Sequence, residues 1–195
     1  MKKLLCLSFL ASVVIFPSTI KADTLPAPVI GVVEQATLDK SAALKSIIDQ
    51  VEKKRAEIQK EMGKYEAELK AQDKKLAEEQ KTLSEAKFTE KRQAFDKRVR
   101  EIQEKIEIRR AQLELAVEDA KKKVYEAFLK VADEVKKEAG ANLIIYKETV
   151  VTADNSFDLT TAVLDKLNKA LPTVQVVFKS EADVKKQLQQ QQPPA

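Results

Sequence analysis

The sequence predicts an α+β fold: a long antiparallel coiled-coil helical hairpin projecting from a small β body. Three observations point there. Residues 39–139 hold no proline and a single glycine, Gly63, and Ala, Lys, Glu, Gln and Leu, all good helix formers, dominate them. Apolar residues recur in that stretch at the alternating three-and-four spacing of a heptad. Short β-type runs lie only outside it, before residue 39 and beyond Gly140.

Residues 1–22 read as an export signal. Lys2 and Lys3 open it, residues 4–16 are largely apolar, Pro17 interrupts them, and Ala22 is a small residue suited to cleavage. The run is too short to be expected as a membrane anchor. Cys6 is the only cysteine, so the chain after cleavage could form no disulfide. Losing Lys2, Lys3 and Lys21 takes the 35 Lys and Arg down by three, to 32, against 31 Asp and Glu. That balance lacks the cation surplus of a nucleic-acid binder, and no nucleic-acid partner is expected. Histidine is absent and only three glycines occur. The usual acid–base group, a thiol nucleophile and a phosphate-cradling loop are therefore all missing. Without His or Cys, a metal site is not expected either. The reading is no enzyme, no cofactor and no metal.

The arm, residues 39–139, begins at a cap supplied by Asp39 or Ser41. Its first apolar seam is Leu44, Ile48, Val51, Ile58, Met62, Tyr65, Leu69, Leu76 and Leu83, with Arg55, Gln72 and Glu79 as polar intrusions. The second is Phe88, Phe95, Val99, Ile102, Ile106, Leu113, Val117, Ala120, Val124, Phe128, Val131 and Val135, with Arg92 and Arg109 intruding. Ser84 as N-cap and Glu85 in a first turn place the fold-back near Leu83, in a tip at 82–88. That register sets Met62 opposite Ile106 and Leu44 opposite Val124. Each helix would be roughly 60–80 Å long at 1.5 Å per residue, too long to bury in a globule of this size. Lys136, Lys137 and Gly140 mark the end.

The body takes residues 23–38 and 140–179. Residues 29–33 form a strand in which Gly31 admits another backbone at close range. Residues 142–146 and 149–152 read as a β-hairpin turning at Lys147 and Glu148. Asp158 or Thr160 caps a short helix carrying Val163, Leu164 and Leu167, and residues 174–178 alternate like a further strand. So few short strands cannot bury an adequate core alone, so Val29, Val32, Leu143 and Ile145 are expected to meet partners from other chains. Residues 180–195 are rich in glutamine and are expected to be a disordered tail.

The arrangement resembles the Skp/OmpH family of periplasmic chaperones over about residues 29–169. The resemblance is carried by Ile30-Gly31-Val32-Val33-Glu34, by Leu83-Ser84 at the tip, and by Gly140 with the apolar run to Tyr146. Its most specific part is Ala153-Asp154-Asn155-Ser156-Phe157-Asp158-Leu159-Thr160, followed by Val163, Leu164, Leu167 and Asn168. It implies a jellyfish-like homotrimer whose strands build a shared β body, with helical arms around a cavity. It also implies a periplasmic holdase that keeps unfolded outer-membrane β-barrel proteins from aggregating without ATP. The chain departs from the family in continuing past Asn168 and in being less basic.

A holdase asks for dispersed apolar contacts off the seam or at the tip. Ile47, Phe88, Ile108, Leu115 and Tyr125 are the client-binding candidates. Lys87, Lys91, Arg92, Lys97 and Arg98 make the tip half basic, which suits contact with anionic lipid or lipopolysaccharide. Gly63 is a candidate hinge that would let the arms spread. The alternative function is a structural periplasmic coiled-coil adaptor that binds no client.

Overall fold

The computed structural model describes residues 25–191, so the expected export signal lies outside the described residues. The chain forms β1 (Ile30–Val33), a one-turn helix α1 (Thr37–Lys40), α2 (Ala42–Glu79), α3 (Glu85–Glu138), β2 (Leu143–Tyr146), α4 (Thr160–Ala170) and α5 (Glu181–Gln191). Helices α2 and α3 are the arm. At 1.5 Å per residue they extend roughly 57 and 81 Å. The surplus length of α3 runs past the start of α2 and forms the floor of the body. Met62 and Ile106 line one hollow together, the register expected for a fold-back near Leu83.

The helix ends follow their sequence signals. Ser41 is the N-cap of α2, its Oγ accepting from Leu44 N–H at 3.2 Å. Ser84 stands at the N-cap of α3 without a side-chain bond, and Glu85 lies in the first turn. The end of α3 is a Schellman turn: Ala141 N–H donates to Lys136 O, Gly140 N–H donates to Lys137 O, and Gly140 has φ +68°. Gly63 has open space where a Cβ would stand, and α2 runs through it unbroken. Gly140→Ala is therefore expected to cost about 1–2 kcal/mol, whereas Gly63→Ala should gain up to about 1 kcal/mol. Urea unfolding of the two variants checks both signs.

The β body differs from the expected hairpin. Residues 149–152 are not a strand. β2 instead pairs in parallel with β1, from Ile30 with Leu143 to Val33 with Tyr146. The arm supplies the long crossover that a parallel pair needs. Lys147 and Glu148, read as the hairpin turn, reach across the body. Lys147 Nζ meets Asp158 Oδ2 at 2.6 Å, and the Glu148 carboxylate accepts from Gln35 N–H at 2.9 Å. The far edge of β1 is taken by the turn before α4, with a bridge from Val32 to Asp158 and Leu159 N–H donating to Val32 O at 2.8 Å. Gly31 does allow a close approach, but to a side chain: a Cβ there would clash with Leu159 Cδ1.

Two buried clusters hold the described chain together. One joins Val33 of β1 to Phe128, Val131 and Val135 of α3 and to Val163 and Leu167 of α4. The other lies at the base of the arm, where Ala43, Ile47 and Val51 of α2 and Ala116, Ala120 and Val124 of α3 meet Val174 and Val176. Residues 174–178 keep the expected alternation, with Val174 and Val176 buried and Gln175 and Val177 exposed. Yet they pair with no strand among the described residues and lie on the helices instead. The expected disordered tail is helical over Glu181–Gln191. Glutamine and lysine are compatible with either state, and Val184, fully buried, decides between them.

Candidate functional site

The sequence gives the arm two unlike faces, because polar residues interrupt its seams on one side. Arg55 of α2 stands beside Leu113 of α3, where an apolar residue would have closed the seam. A shallow trough of about 940 Å³ results, floored by Leu113 and Val117 and rimmed by Arg55, Arg110, Lys121 and Lys122 together with Glu114 and Glu118. Toward the tip it continues into a hollow of about 260 Å³ beside Ile58, Met62 and Ile106. Toward the body a hollow of about 250 Å³ beside Leu38, Leu44 and Tyr125 extends it. The arrangement offers apolar contact along a length of chain, flanked mainly by cations, with no deep pocket to select one ligand.

Ion pairs across the hairpin hold the helices in register beyond the trough. Arg98 grips Glu68 through Nε at 2.7 Å and through its second terminal nitrogen at 2.8 Å. Arg109 grips Glu61 at 3.0 and 3.2 Å. The hydrogen bonds from these guanidinium groups hold both carboxyls below the usual range. Lys91 meets Glu79 at 2.6 Å near the turn. The distal arm thus relies more on polar clamps, with only Leu76, Ile102 and Ile108 of its apolar residues fully inside.

The structure divides the five client-binding candidates. Ile47 is 1% exposed and Ile108 3% exposed, so neither is a surface contact. Ile47 lies under Val174 and Val176. Ile108 sits on the α3 face between Glu104, which pairs with Lys185, and Gln112, whose amide donates to Lys179 O. The C-terminal segment that buries both could not be placed from the heptad pattern. Phe88 and Leu115 are half-buried. Tyr125 is 45% exposed, lines the trough and stacks on Phe128 at 6.2 Å. Sequence reasoning missed the trough's rim of Arg110, Lys121 and Lys122; the signal available was Arg55 intruding in the seam.

The body candidates divide as well. Val32 is buried within its own chain, while Val29 and Leu143 are about half exposed and Ile145 is half-buried. The outer edge of β2 pairs with nothing among the described residues. Of the five tip cations, Lys91 pairs with Glu79, Arg92 with Asp96, and Arg98 with Glu68 and Glu101. Only Lys87 and Lys97 have no ion pair among the described residues. No His, Cys, Asp or Glu cluster among the described residues could hold a metal ion. No helix among them is long and apolar enough to cross a membrane.

Asp158 ties the body together. Its Oδ1 accepts from Thr160 N–H at 2.9 Å and its Oδ2 meets Lys147. Lys147 and then Thr160 hold its carboxyl down to about 2. A depressed carboxyl contributes stability above its unfolded value near 4, and that contribution is lost as pH falls toward 2. Asp158→Asn should therefore cost roughly 1–2 kcal/mol at pH 7, with most of the difference from the parent chain lost by about pH 2. Urea unfolding across that window measures it; a difference undiminished at pH 2 would assign the loss to geometry instead.

With this geometry in place, comparison with known proteins gives two findings. The profile of a family described as outer membrane protein (OmpH-like) matches residues 29–167. Among solved structures, the chain is similar to a candidate outer membrane chaperone (OmpH-like) from Caulobacter crescentus, with a TM-score of 0.73 and 16% identity. That alignment covers 80% of this chain and 93% of the other. No curated protein matches the chain.

Proposed function

This chain belongs to the OmpH-like family, and on that premise we propose that it is a chaperone of the holdase type. It acts in the periplasm, binds unfolded outer-membrane β-barrel proteins without ATP, and keeps them from aggregating before assembly. The observation that carries this is the trough: apolar contact spread along Leu113, Val117, Ile106 and Met62, with a rim of mixed charge in which cations outnumber carboxylates, and no deep pocket. Many weak contacts hold a polypeptide while leaving it mobile.

The trimer belongs to the same proposal. Exposed Val29, Leu143 and Phe157 and the unpaired edge of β2 support it, since an open apolar strand edge invites pairing with another chain. In such an assembly the arms would enclose the client. Sedimentation of the purified chain tests this, with a monomer at working concentration refuting it.

The deciding experiment dilutes a urea-unfolded outer-membrane β-barrel protein into the folded chain without nucleotide and follows light scattering. Suppression of aggregation that saturates near one trimer per client is expected. No suppression by the folded chain would leave a structural coiled-coil adaptor as the better reading. Gly63 enters here as a hinge. If it softens the arm, Gly63→Ala should narrow the size range of clients held and slow amide exchange around residue 63. Unchanged size range and exchange would remove the hinge.

A further inference from the structure

Residues 171–191 follow the family match and run back along the arm, from the end of α4 to the level of Glu104 on α3. Their seat has a specific chemistry. The side-chain amide of Gln50 donates to Val174 O at 2.7 Å, and its Oε1 accepts from Val176 N–H at 3.0 Å. A residue on a neighbouring parallel strand would make this pair of bonds, accepting from one residue and donating to the residue two earlier. Beneath, Ala43, Ile47, Ala116 and Ala120 receive Val174 and Val176, every second side chain of the segment. Further along, Gln112 donates to Lys179 O at 2.6 Å, again reading backbone. The seat therefore recognises extended polypeptide by its main chain and by alternate apolar side chains. It would serve other sequences with that pattern.

The near half of this segment is seated by Val174 and Val176, whereas the far half is held by Val184 and by polar contacts at the surface. The ion pairs of its far half, Lys185 with Glu104, Glu181 with Arg109 and Lys179 with Asp119, join mostly exposed groups that contribute little in water. Helix α5 has 11 residues, too few to be stable away from the arm. Among the described residues, no strand pairs with the outer edge of residues 174–178.

We propose that this face of the arm is a second polypeptide-binding groove, for extended segments of alternating apolar residues, and that residues 172–188 are its built-in competitor, a strap that the ligand displaces. The ligand class, strands of an unfolded β-barrel, rests on the holdase reading; the strap and its seat do not. Binding then carries a threshold: only a segment that outcompetes the strap opens the groove.

The test uses the full chain with Cys6→Ser, Glu104→Cys and Lys185→Cys, compared before and after a short bismaleimide joins the two thiols. The probe is a fluorescein-labelled peptide of alternating valine and threonine, read by anisotropy, beside a peptide of the same composition with the alternation scrambled. A second variant, Val176→Asp, unseats the strap and is read by amide exchange over residues 173–188. The joined chain should bind the alternating peptide at least several-fold more weakly than the open one. Val176→Asp should bind it several-fold more tightly, and the scrambled peptide should bind weakly throughout. Equal binding by joined and open chains overturns the groove, as does unchanged affinity in Val176→Asp once exchange has risen. If Val176→Asp does not fold, the joined and open pair still decides. Aggregation assays separate the two readings. Strap-controlled peptide binding without suppression keeps the groove and discards the holdase. Suppression with equal peptide binding in joined and open chains does the reverse.

Discussion

Leu167→Ala is expected to remove about 2–5 kcal/mol of unfolding free energy, the range for emptying a packed core position. Leu167 is fully buried against Val33, Phe128, Val131 and Val135. Among the described residues the sheet has two strands, so α4 is what covers β1. Asn168, the next residue, accepts from Ala42 N–H at 2.8 Å and so ties α4 to the start of α2. A cavity at Leu167 loosens both attachments, and the strap that leaves α4 at Leu171 with them. The long helices dominate circular dichroism and the chain has no tryptophan, so amide exchange along β1 and α4 under urea is the measurement. A loss below about 1 kcal/mol would mean that α4 is not docked as described.

Ile47→Ala and Ile48→Ala should differ sharply, and in the order opposite to the heptad reading. The seam assigned Ile48 to the hairpin interface and left Ile47 outside. In the structure Ile47 is 1% exposed and Ile48 47% exposed. Ile47→Ala is therefore expected to cost about 2–5 kcal/mol, and Ile48→Ala about 0.5 kcal/mol or less. Comparing their urea midpoints at equal protein concentration checks this. Equal losses, or the reverse order, would mean that residues 174–178 do not seat on this face.

That reversal marks where sequence reasoning stopped. Heptad counting assumes that an arm helix has one buried stripe, the one facing its partner. Here the buried stripe at the base of α2 is Ala43, Ile47 and Val51, which meets α3 and also an extended segment more than a hundred residues away in sequence, Val174 and Val176. The pattern in residues 174–178 was legible as alternation; what it alternated against was not. The same limit acted on the hairpin expected at 142–152. Its two turn residues, Lys147 and Glu148, have partners at Asp158 and Gln35. No local propensity registers those.

The candidate site was legible in part. Tyr125 was chosen as an off-seam aromatic and lines the trough. Ile47 and Ile108 were chosen by the same rule and are buried, Ile47 in one cluster with Val174 and Val176 and Ile108 between the Glu104 and Gln112 contacts of the C-terminal segment. An apolar residue off a seam is either a binding surface or the seat of another element, and only the fold tells which. Arg98 was chosen as a basic tip residue suited to lipid contact, yet it is engaged by a carboxylate 30 residues earlier on the other helix, Glu68.

The sequence by itself determined the hairpin, its fold-back near Leu83, its Gly140 stop and the family. Helix propensity, apolar period and left-handed glycine are local properties, written within a few residues of where they act. Tertiary structure alone decided that β1 and β2 pair in parallel, that the strap covers Ile47, and that the trough lies open beside Arg55. Each depends on segments brought together from far apart in the chain, where the gain comes from burying a shared surface rather than from any residue's own preference.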